Sequence, residues 1–391
     1  MLNICIFGNS FLPAVGGKEY VMHYLGNALA GLGHDVTVVA KRVSWDRPKQ
    51  ERAYDLSRYS LPVKGSGKSG LDFCSAILAV TILNRKKKFD VLNCHGVDYA
   101  GTMARHLKSL QQFPLVMTPH GMDIQKIPEI GYGLRLDDAW DRRISKNLKA
   151  ADYVTAISQS VHGDLDMIPE ERIVDIPNGI NVSRFSGPAS TYLHEHLGIS
   201  DTSRIVLSVG RNHIKKGYDY GIKAMSTLVG KLCCKDVHYV IVGRGVTEHR
   251  KTVAECQADT FISLVDEVPP DRITQCYKSA DVFFSPSIVE GLSLVSIEAM
   301  ASGLPLVVTD VPGNDDVVRD NGCGVIVKSK DPEAMAVGLQ RLLSDDSYMS
   351  SLAELSQQCS GKYDWPKIAM QYEAVYRRAI YDQAKEEAAC G

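Results

Sequence analysis

The strongest constraint on this chain is an alternation that runs twice. Short apolar runs are followed by stretches whose apolar residues recur at helical spacing, and the pattern restarts near residue 204. In the first pass, the runs at 2–7, 36–40, 91–94, 115–118 and 153–156 read as buried parallel strands. Between the first two, Val21, Leu25, Ala28, Leu29 and Leu32 fall on one helical face, and Gly33 stops it. In the second pass, strands are expected at 204–209, 237–242, 261–265, 282–285, 306–309 and 324–327. Strand–helix alternation of this kind predicts an α/β fold with parallel sheets. The segment 178–203 has turn residues and little periodicity, as a linker would. Two Rossmann-like, doubly wound domains follow, at 1–185 and 186–371. A helix over about 372–391 is expected to pack back on the first domain.

Composition narrows the class. The chain has 391 residues, 45% hydrophobic and 23% charged, which is ordinary for globular domains. Its formal charge is -2, which speaks against nucleic acid as partner. The first 185 residues carry a net +4 and the remainder a net -6, so the basic half suits an anionic surface or acceptor. Ten cysteines, none in a C-x-x-C pair and several inside apolar runs, read as buried thiols of a reducing compartment. No basic leader precedes a long apolar run, and no apolar run reaches the ~18 residues of a membrane span. A cytoplasmic protein is expected. The segment LDFCSAILAVTILNRKKK joins an apolar stretch to a basic cluster at 85–88. It reads as a core helix with a solvated basic end, or as a surface for peripheral contact with the anionic inner face of a membrane.

Three segments carry chemistry. Near the N-terminus, Gly16 and Gly17 stand just before a helix. They do not form G-x-G-x-x-G, but a glycine pair there lets backbone N–H groups approach a phosphate. The loop GRNHIKKG at 210–217 follows a strand and holds Gly210, Arg211 and Lys216. Ligands of open α/β sheets sit beyond the carboxyl ends of strands. An Arg fork and a mobile Lys charge suit a diphosphate that becomes a leaving group. The segment 286–310 places Glu290 and Gly291 in a loop. Ser293 is the expected N-cap of a helix through about Ser302, Gly303 its stop, and Glu298 its middle. Carboxylates accept hydrogen bonds from sugar and ribose hydroxyls, and the helix start near Leu294 and Val295 favours an anion.

With these residues in place, the chain resembles the family 4 glycosyltransferases of the GT-B fold, two Rossmann-like domains facing a central cleft. Glu290 and Glu298, with seven residues between them, match that family's paired glutamates. PAVGGKE at 13–19, GHDVTVV at 33–39, TPHG at 118–121, IPNGI at 176–180, GRNHIKKG and the Trp365 segment complete the set in family order. The marks cover essentially the whole chain.

The resemblance implies a retaining transferase that takes a nucleotide-diphosphate sugar, with UDP the expected nucleotide. It assigns Glu290 to donor-sugar hydroxyls and Glu298 to ribose. It gives Arg211 and Lys216 to the diphosphate, the Gly16–Gly17 loop to the phosphates, and the backbone of Gly291, Leu292, Ser293, Leu294 and Val295 to sugar and phosphate. Gly210, Gly243, Val265 and Val268 complete the donor site. Asp266 stands where similar proteins often have a glycine, which leaves UDP, GDP and ADP all open. His120 is expected beside the reacting sugar, with His95 and Asp123 as candidates for acceptor binding. The acceptor would be a hydroxyl of a glycan or glycolipid in surface-polysaccharide synthesis. Neither cofactor nor metal is implied, because Arg and Lys do the neutralising. Two other readings remain: a catalytically silent nucleotide-sugar-binding regulatory subunit, and a sugar-nucleotide epimerase of the same fold.

Overall fold

The computed structural model describes residues 1–14, 16–42, 52–59, 70–269 and 271–390. Val15 of the PAVGGKE run lies outside them, as does Gly391 at the end of the expected last helix. The chain divides into two compact units, Met1–Gly179 with Trp365–Gly391, and Ile180–Asp364.

The first unit is built on seven parallel strands: β1 (Asn3–Gly8), β2 (Asp35–Lys41), β3 (Asp55–Tyr59), β4 (Val91–His95), β5 (Leu115–Thr118), β6 (Tyr153–Ala156) and β7 (Ile173–Asp175). Their order is β3-β2-β1-β4-β5-β6-β7, so the winding reverses between β1 and β4. The register pairs Gly8 with His95, and His95 with Thr118, which brings three strand ends to one edge. Ile4, Ile6, Val36, Val38, Val91 and Val116 bury one sheet face. Helix Gly17–Gly31 covers it with Val21, Met22, Leu25 and Leu29. Leu32, expected on that face, lies just past the helix and is exposed, because Gly33 turns the chain at φ 88°.

Helix Trp365–Cys390 completes this core with Ile368, Tyr372, Val375, Tyr376 and Ala379, spaced as one helical face. Helix Gly70–Lys87 carries the expected basic end. Part of that cluster is internally paired: Lys87 Nζ bonds to Asp35 at 2.9 Å and Asp55 at 2.8 Å.

The second unit repeats the plan with β8 (Arg204–Val209), β9 (Val237–Val242), β10 (Ile262–Val265), β11 (Val282–Ser285), β12 (Leu306–Thr309) and β13 (Gly324–Val327). The parallel order is β10-β9-β8-β11-β12-β13, with the reversal between β8 and β11. Strand alternation is visible in its two cores. Val206, Tyr239, Ile241, Phe284 and Val307 bury one face, while Ile205, Leu207, Val240, Phe283, Leu306 and Val308 bury the other. This is why these strands read as continuous apolar runs.

The unit boundaries differ from the expected ones at 185/186 and 371/372. The chain crosses at 179/180 and again at 364/365. The Ile180 N–H donates to the Tyr363 carbonyl at 2.8 Å, and Phe185 and Tyr363 are buried in the second unit. Trp365 is buried in the first, stacked on Tyr24. The expected linker at 178–203 is, from Ile180 onward, likewise part of the second unit. Short helices Val182–Phe185 and Tyr192–Leu197 anchor it through Phe185 and Leu193. Helices of four and six residues are too short to show periodicity in a sequence.

Candidate active site

In the second unit, the loops after β8 and β11 meet at the point where the winding reverses, the usual ligand position of an open α/β sheet. The first loop closes with a tight turn at Ile214–Lys216. Gly217 follows at φ 63°, where a β-carbon would also overlap the Pro286 carbonyl, so only glycine fits. The Ile288 N–H then donates to the Lys215 carbonyl at 2.6 Å, which fastens the two loops together.

This turn delivers both lysines to Glu290. Lys216 Nζ lies 2.6 Å from Glu290 Oε1, and Lys215 Nζ lies 3.4 Å from Oε2. The Ser287 hydroxyl donates to Oε1 at 3.0 Å. Beneath them, Asn314 joins the ends of β11 and β12. Its Nδ2 donates to Thr309 Oγ1 at 2.9 Å, and its Oδ1 accepts from the Ser285 hydroxyl at 2.9 Å. Glu290 is 4% exposed. Burial alone would raise its carboxyl pKa, but Lys216, Lys215 and Ser287 outweigh it and hold the group at about 2.

A carboxyl depressed from about 4.5 to about 2 contributes stability above its unfolded pKa and loses it as pH falls. At neutral pH the contribution is about 3 kcal/mol. In acid titrations of thermal stability, the gap between wild type and Glu290→Gln should close between about pH 4.5 and pH 2. A gap that ignores pH would contradict the ion-pair account.

Arg211 is exposed at the mouth of the same loop. Gly210 is held by the Tyr218 hydroxyl, which donates to its carbonyl at 2.8 Å. Gly243, at the end of β9, lies against Gly210, and a β-carbon there would overlap the Gly210 carbonyl. Val265 and Val268 flank the end of β10, both partly buried. Asp266 between them turns away to the 3-10 turn Val246–His249 that follows β9: its carboxylate accepts from the Thr247 N–H at 3.0 Å and hydroxyl at 2.9 Å.

Ser293 occupies the N-cap position of helix Leu294–Ala301 as expected, but its side chain does not cap. Its hydroxyl pairs with that of Ser296 at 2.7 Å, and its N–H donates to the Gly313 carbonyl at 2.9 Å. Gly291, Leu292, Leu294 and Val295 therefore stand at a helix start that the Ser293 side chain leaves uncapped. Glu298, one turn on, is partly buried and accepts from the Tyr277 hydroxyl at 2.8 Å through Oε2. Burial raises its pKa, opposed by Tyr277, Arg184 and Lys216.

The first unit gathers a second group at its own reversal point. Gly16 caps helix Gly17–Gly31 in an extended conformation, and a β-carbon on Gly17 would meet nothing within 4 Å. Lys18 Nζ donates to Asn9 Oδ1 at 2.6 Å, and Asn9 Nδ2 donates to Asp98 Oδ2 at 2.9 Å. His120 is partly exposed. Its Nε2 lies 3.0 Å from His95 Nδ1. Burial lowers both pKa values, with the Lys18 charge adding to it. His95 falls to about 3, and His120 lies well below the ordinary imidazole range.

Two acceptor candidates prove to be internal. His95 is fully buried, with its Nε2 2.9 Å from Asn93 Oδ1, so both ring nitrogens are engaged within the protein. Asp123 is buried and accepts from the His120 N–H at 2.8 Å and the Val97 N–H at 2.9 Å. Both are hydrogen-bonded to His120, His95 through its ring and Asp123 through the His120 backbone N–H. Lys215, Asn314, Lys18 and Asn93 were not singled out from the sequence. Lys215 and Lys18 lay inside the runs GRNHIKKG and PAVGGKE, whereas Asn314 and Asn93 left no such signal.

A model described as Glycosyltransferase Family 4 matches residues 15–184, and one described as Glycosyl transferases group 1 matches residues 190–359. An uncharacterized glycosyltransferase of Methanocaldococcus jannaschii is 28% identical, over 94% of this chain and 95% of its own. The fold is that of sucrose-phosphate synthase from Thermosynechococcus elongatus (TM-score 0.81, 21% identity, 97% of this chain and 99% of that one). Anabaena HepE, crystallised with UDP and glucose, superposes with a TM-score of 0.77 at 17% identity, covering 97% of this chain and 100% of its own. Two doubly wound units, each with its polar cluster at the winding reversal, and two family models that between them span nearly the whole chain lead to one conclusion: the chain belongs to the GT-B glycosyltransferases of the family 4 type.

Proposed function

We propose that this glycosyltransferase moves a sugar, with retention of anomeric configuration, from a UDP-sugar to a hydroxyl of a glycan or glycolipid. The observation that carries the reading is the Lys215–Lys216–Glu290 cluster beside an uncapped helix start. It joins fixed positive charge, which suits a departing diphosphate, to a carboxylate kept ionised to accept from sugar hydroxyls. The preference for UDP rests on the nucleotide that HepE binds.

In this mechanism the acceptor oxygen bonds to the anomeric carbon on the face from which the nucleoside diphosphate leaves. The C1–O bond to phosphate breaks, and the acceptor proton passes to the departing phosphate oxygen. No protein nucleophile is needed. Lys216 and Arg211 neutralise the leaving group without a metal, and orientation supplies much of the remaining rate. Glu298 takes the ribose hydroxyls, and His120 lies beside the reacting sugar.

The test is nucleotide release from UDP-, GDP- and ADP-sugars with chelator present, followed by acceptor screening. Release from the UDP-sugar alone supports the reading. Binding without turnover under any acceptor overturns it in favour of a regulatory subunit.

Gly17 offers a separate check. Its surroundings leave room for a methyl group, so Gly17→Ala should gain roughly 0.4–1 kcal/mol of stability. If the Gly16–Gly17 backbone approaches a phosphate, the same change raises the donor KM. Unaltered donor kinetics in the stabilised variant would remove these glycines from the site.

For the acceptor, the first unit supplies one surface. Helix Gly70–Lys87 leaves Leu71 80%, Leu78 61% and Ile82 45% exposed, seven and four positions apart, ahead of the exposed Arg85 and Lys86. An apolar stripe that leads into basic residues suits an anionic lipid surface. Among the described residues, no helix is long and apolar enough to cross a membrane. The chain should float with anionic vesicles, and Leu78→Asp should abolish this. Equal flotation with neutral vesicles would argue against the basic residues.

A further inference from the structure

The histidine pair of the first unit has a direction, and the atoms around it fix that direction. Asn93 Nδ2 donates to the Val116 carbonyl at 3.3 Å and to Thr118 Oγ1 at 3.2 Å. The carbonyl can only accept, so the amide orientation is set and Asn93 Oδ1 points the other way. Oδ1 receives the Tyr376 hydroxyl at 2.9 Å and faces His95 Nε2 at 2.9 Å. An amide oxygen has no proton to give, so His95 Nε2 must carry one. His95 is neutral, since burial and Lys18 oppose its protonation, and its Nδ1 is therefore bare. The atom that faces this lone pair is His120 Nε2, at 3.0 Å. Nε2 must then be the protonated nitrogen of His120. His120 is also neutral, which leaves its Nδ1 bare.

We propose that Asn93, His95 and Tyr376 are positioning residues that lock His120 in the Nε2–H tautomer, so that its Nδ1 presents a lone pair to a substrate hydroxyl. The inference rests on the reading that His120 lies beside the reacting sugar. It adds the polarity of that contact: the substrate group must be a hydrogen-bond donor. A hydroxyl fits, and a fluorine or an ether oxygen does not. Selectivity of this kind is strong, because the wrong analogue leaves a polar atom of the site unpaired. Tyr376 lies on helix Trp365–Cys390, so the last helix of the chain takes part in setting this tautomer. The charged groups near the pair are Lys18, Asp98 and Asp123, and Tyr372 stacks on His95.

The first measurement needs no variant. Imidazole 15N shifts in histidine-labelled protein should show a bare Nδ1 and a protonated Nε2 on both His95 and His120 at neutral pH. A His120 protonated at Nδ1 would overturn the proposal.

The second uses Asn93→Asp, which keeps an acceptor for His95 Nε2 but adds a charge that favours the imidazolium. A doubly protonated His95 donates from both nitrogens, which forces His120 to accept at Nε2 and carry its proton at Nδ1. The expected result is a 10–100-fold loss of kcat near neutral pH with donor KM little changed (about 1.4–3 kcal/mol). The rate should recover as pH rises through the new His95 pKa, where wild type shows no such step. A merely structural role for Asn93 would lower stability without that pH step, and a flat profile with an unshifted tautomer would overturn the proposal. Full activity in His120→Ala would instead sink the substrate-contact reading and leave the tautomer result standing.

Discussion

On the proposed leaving-group role, Lys216→Ala should lower sugar transfer by about 10²–10³-fold, the scale seen when one preorganised charge stabiliser is removed. The loss falls on kcat, because the charge on the departing diphosphate develops only as the bond breaks. The fold survives. Glu290 keeps Lys215 at 3.4 Å and Ser287 at 3.0 Å, so its buried carboxylate is not abandoned. Its pKa rises from about 2 toward the ordinary range, and stability falls by part of the roughly 3 kcal/mol ascribed to the cluster. Lys216→Arg restores charge but not the compact ammonium that sits 2.6 Å from Oε1, and recovers activity in part. Steady-state kinetics with saturating acceptor decides the matter: near-normal kcat in Lys216→Ala would end the leaving-group role.

On the proposed ribose role, Glu298→Ala should act on binding. Oε2 is committed to Tyr277, so Oε1 is the oxygen available to ribose hydroxyls. A hydrogen bond to an ionised group contributes about 1.5–3 kcal/mol, which predicts a 10–100-fold weaker nucleotide affinity. At saturating donor, kcat should stay within a few-fold of wild type. Titration calorimetry with the free nucleotide reads the effect without an acceptor. An unchanged affinity would detach Glu298 from the ribose.

The sequence exposed the central strands because both sheet faces are covered. Ile4 to Phe7 and Val206 to Leu207 are apolar without a break, and the expected bounds came within a residue or so of those observed. It concealed β3 and β7, the two edges of the first sheet. DLSRY and IVD are short, and most of their residues keep some exposure, so no apolar run marks them. The same logic separates the site residues. Lys216 and Glu290 stood out because charged residues in glycine-punctuated loops need an explanation, and Glu298 because it follows Glu290 with seven residues between them, on a short helix bounded by Ser293 and Gly303. Asn93 did not, since one polar residue inside VLNCH looks like an interruption of a strand. Its meaning lies in Tyr376, 283 positions away, and no local pattern connects the two.

The return of the last helix to the first unit bears on how the molecule is made. When residue 179 leaves the ribosome, the first sheet still lacks Ile368, Tyr372 and Tyr376, and the apolar face around Ile4, Val91 and Val116 is incompletely covered. At 5–20 residues per second, synthesis of the second unit takes roughly 10–40 s, and for all of that time the first unit waits. The second unit, continuous from Ile180 to Asp364, has no such dependence. The unit synthesised first is thus the one finished last, and its unfinished face is what a chaperone would meet.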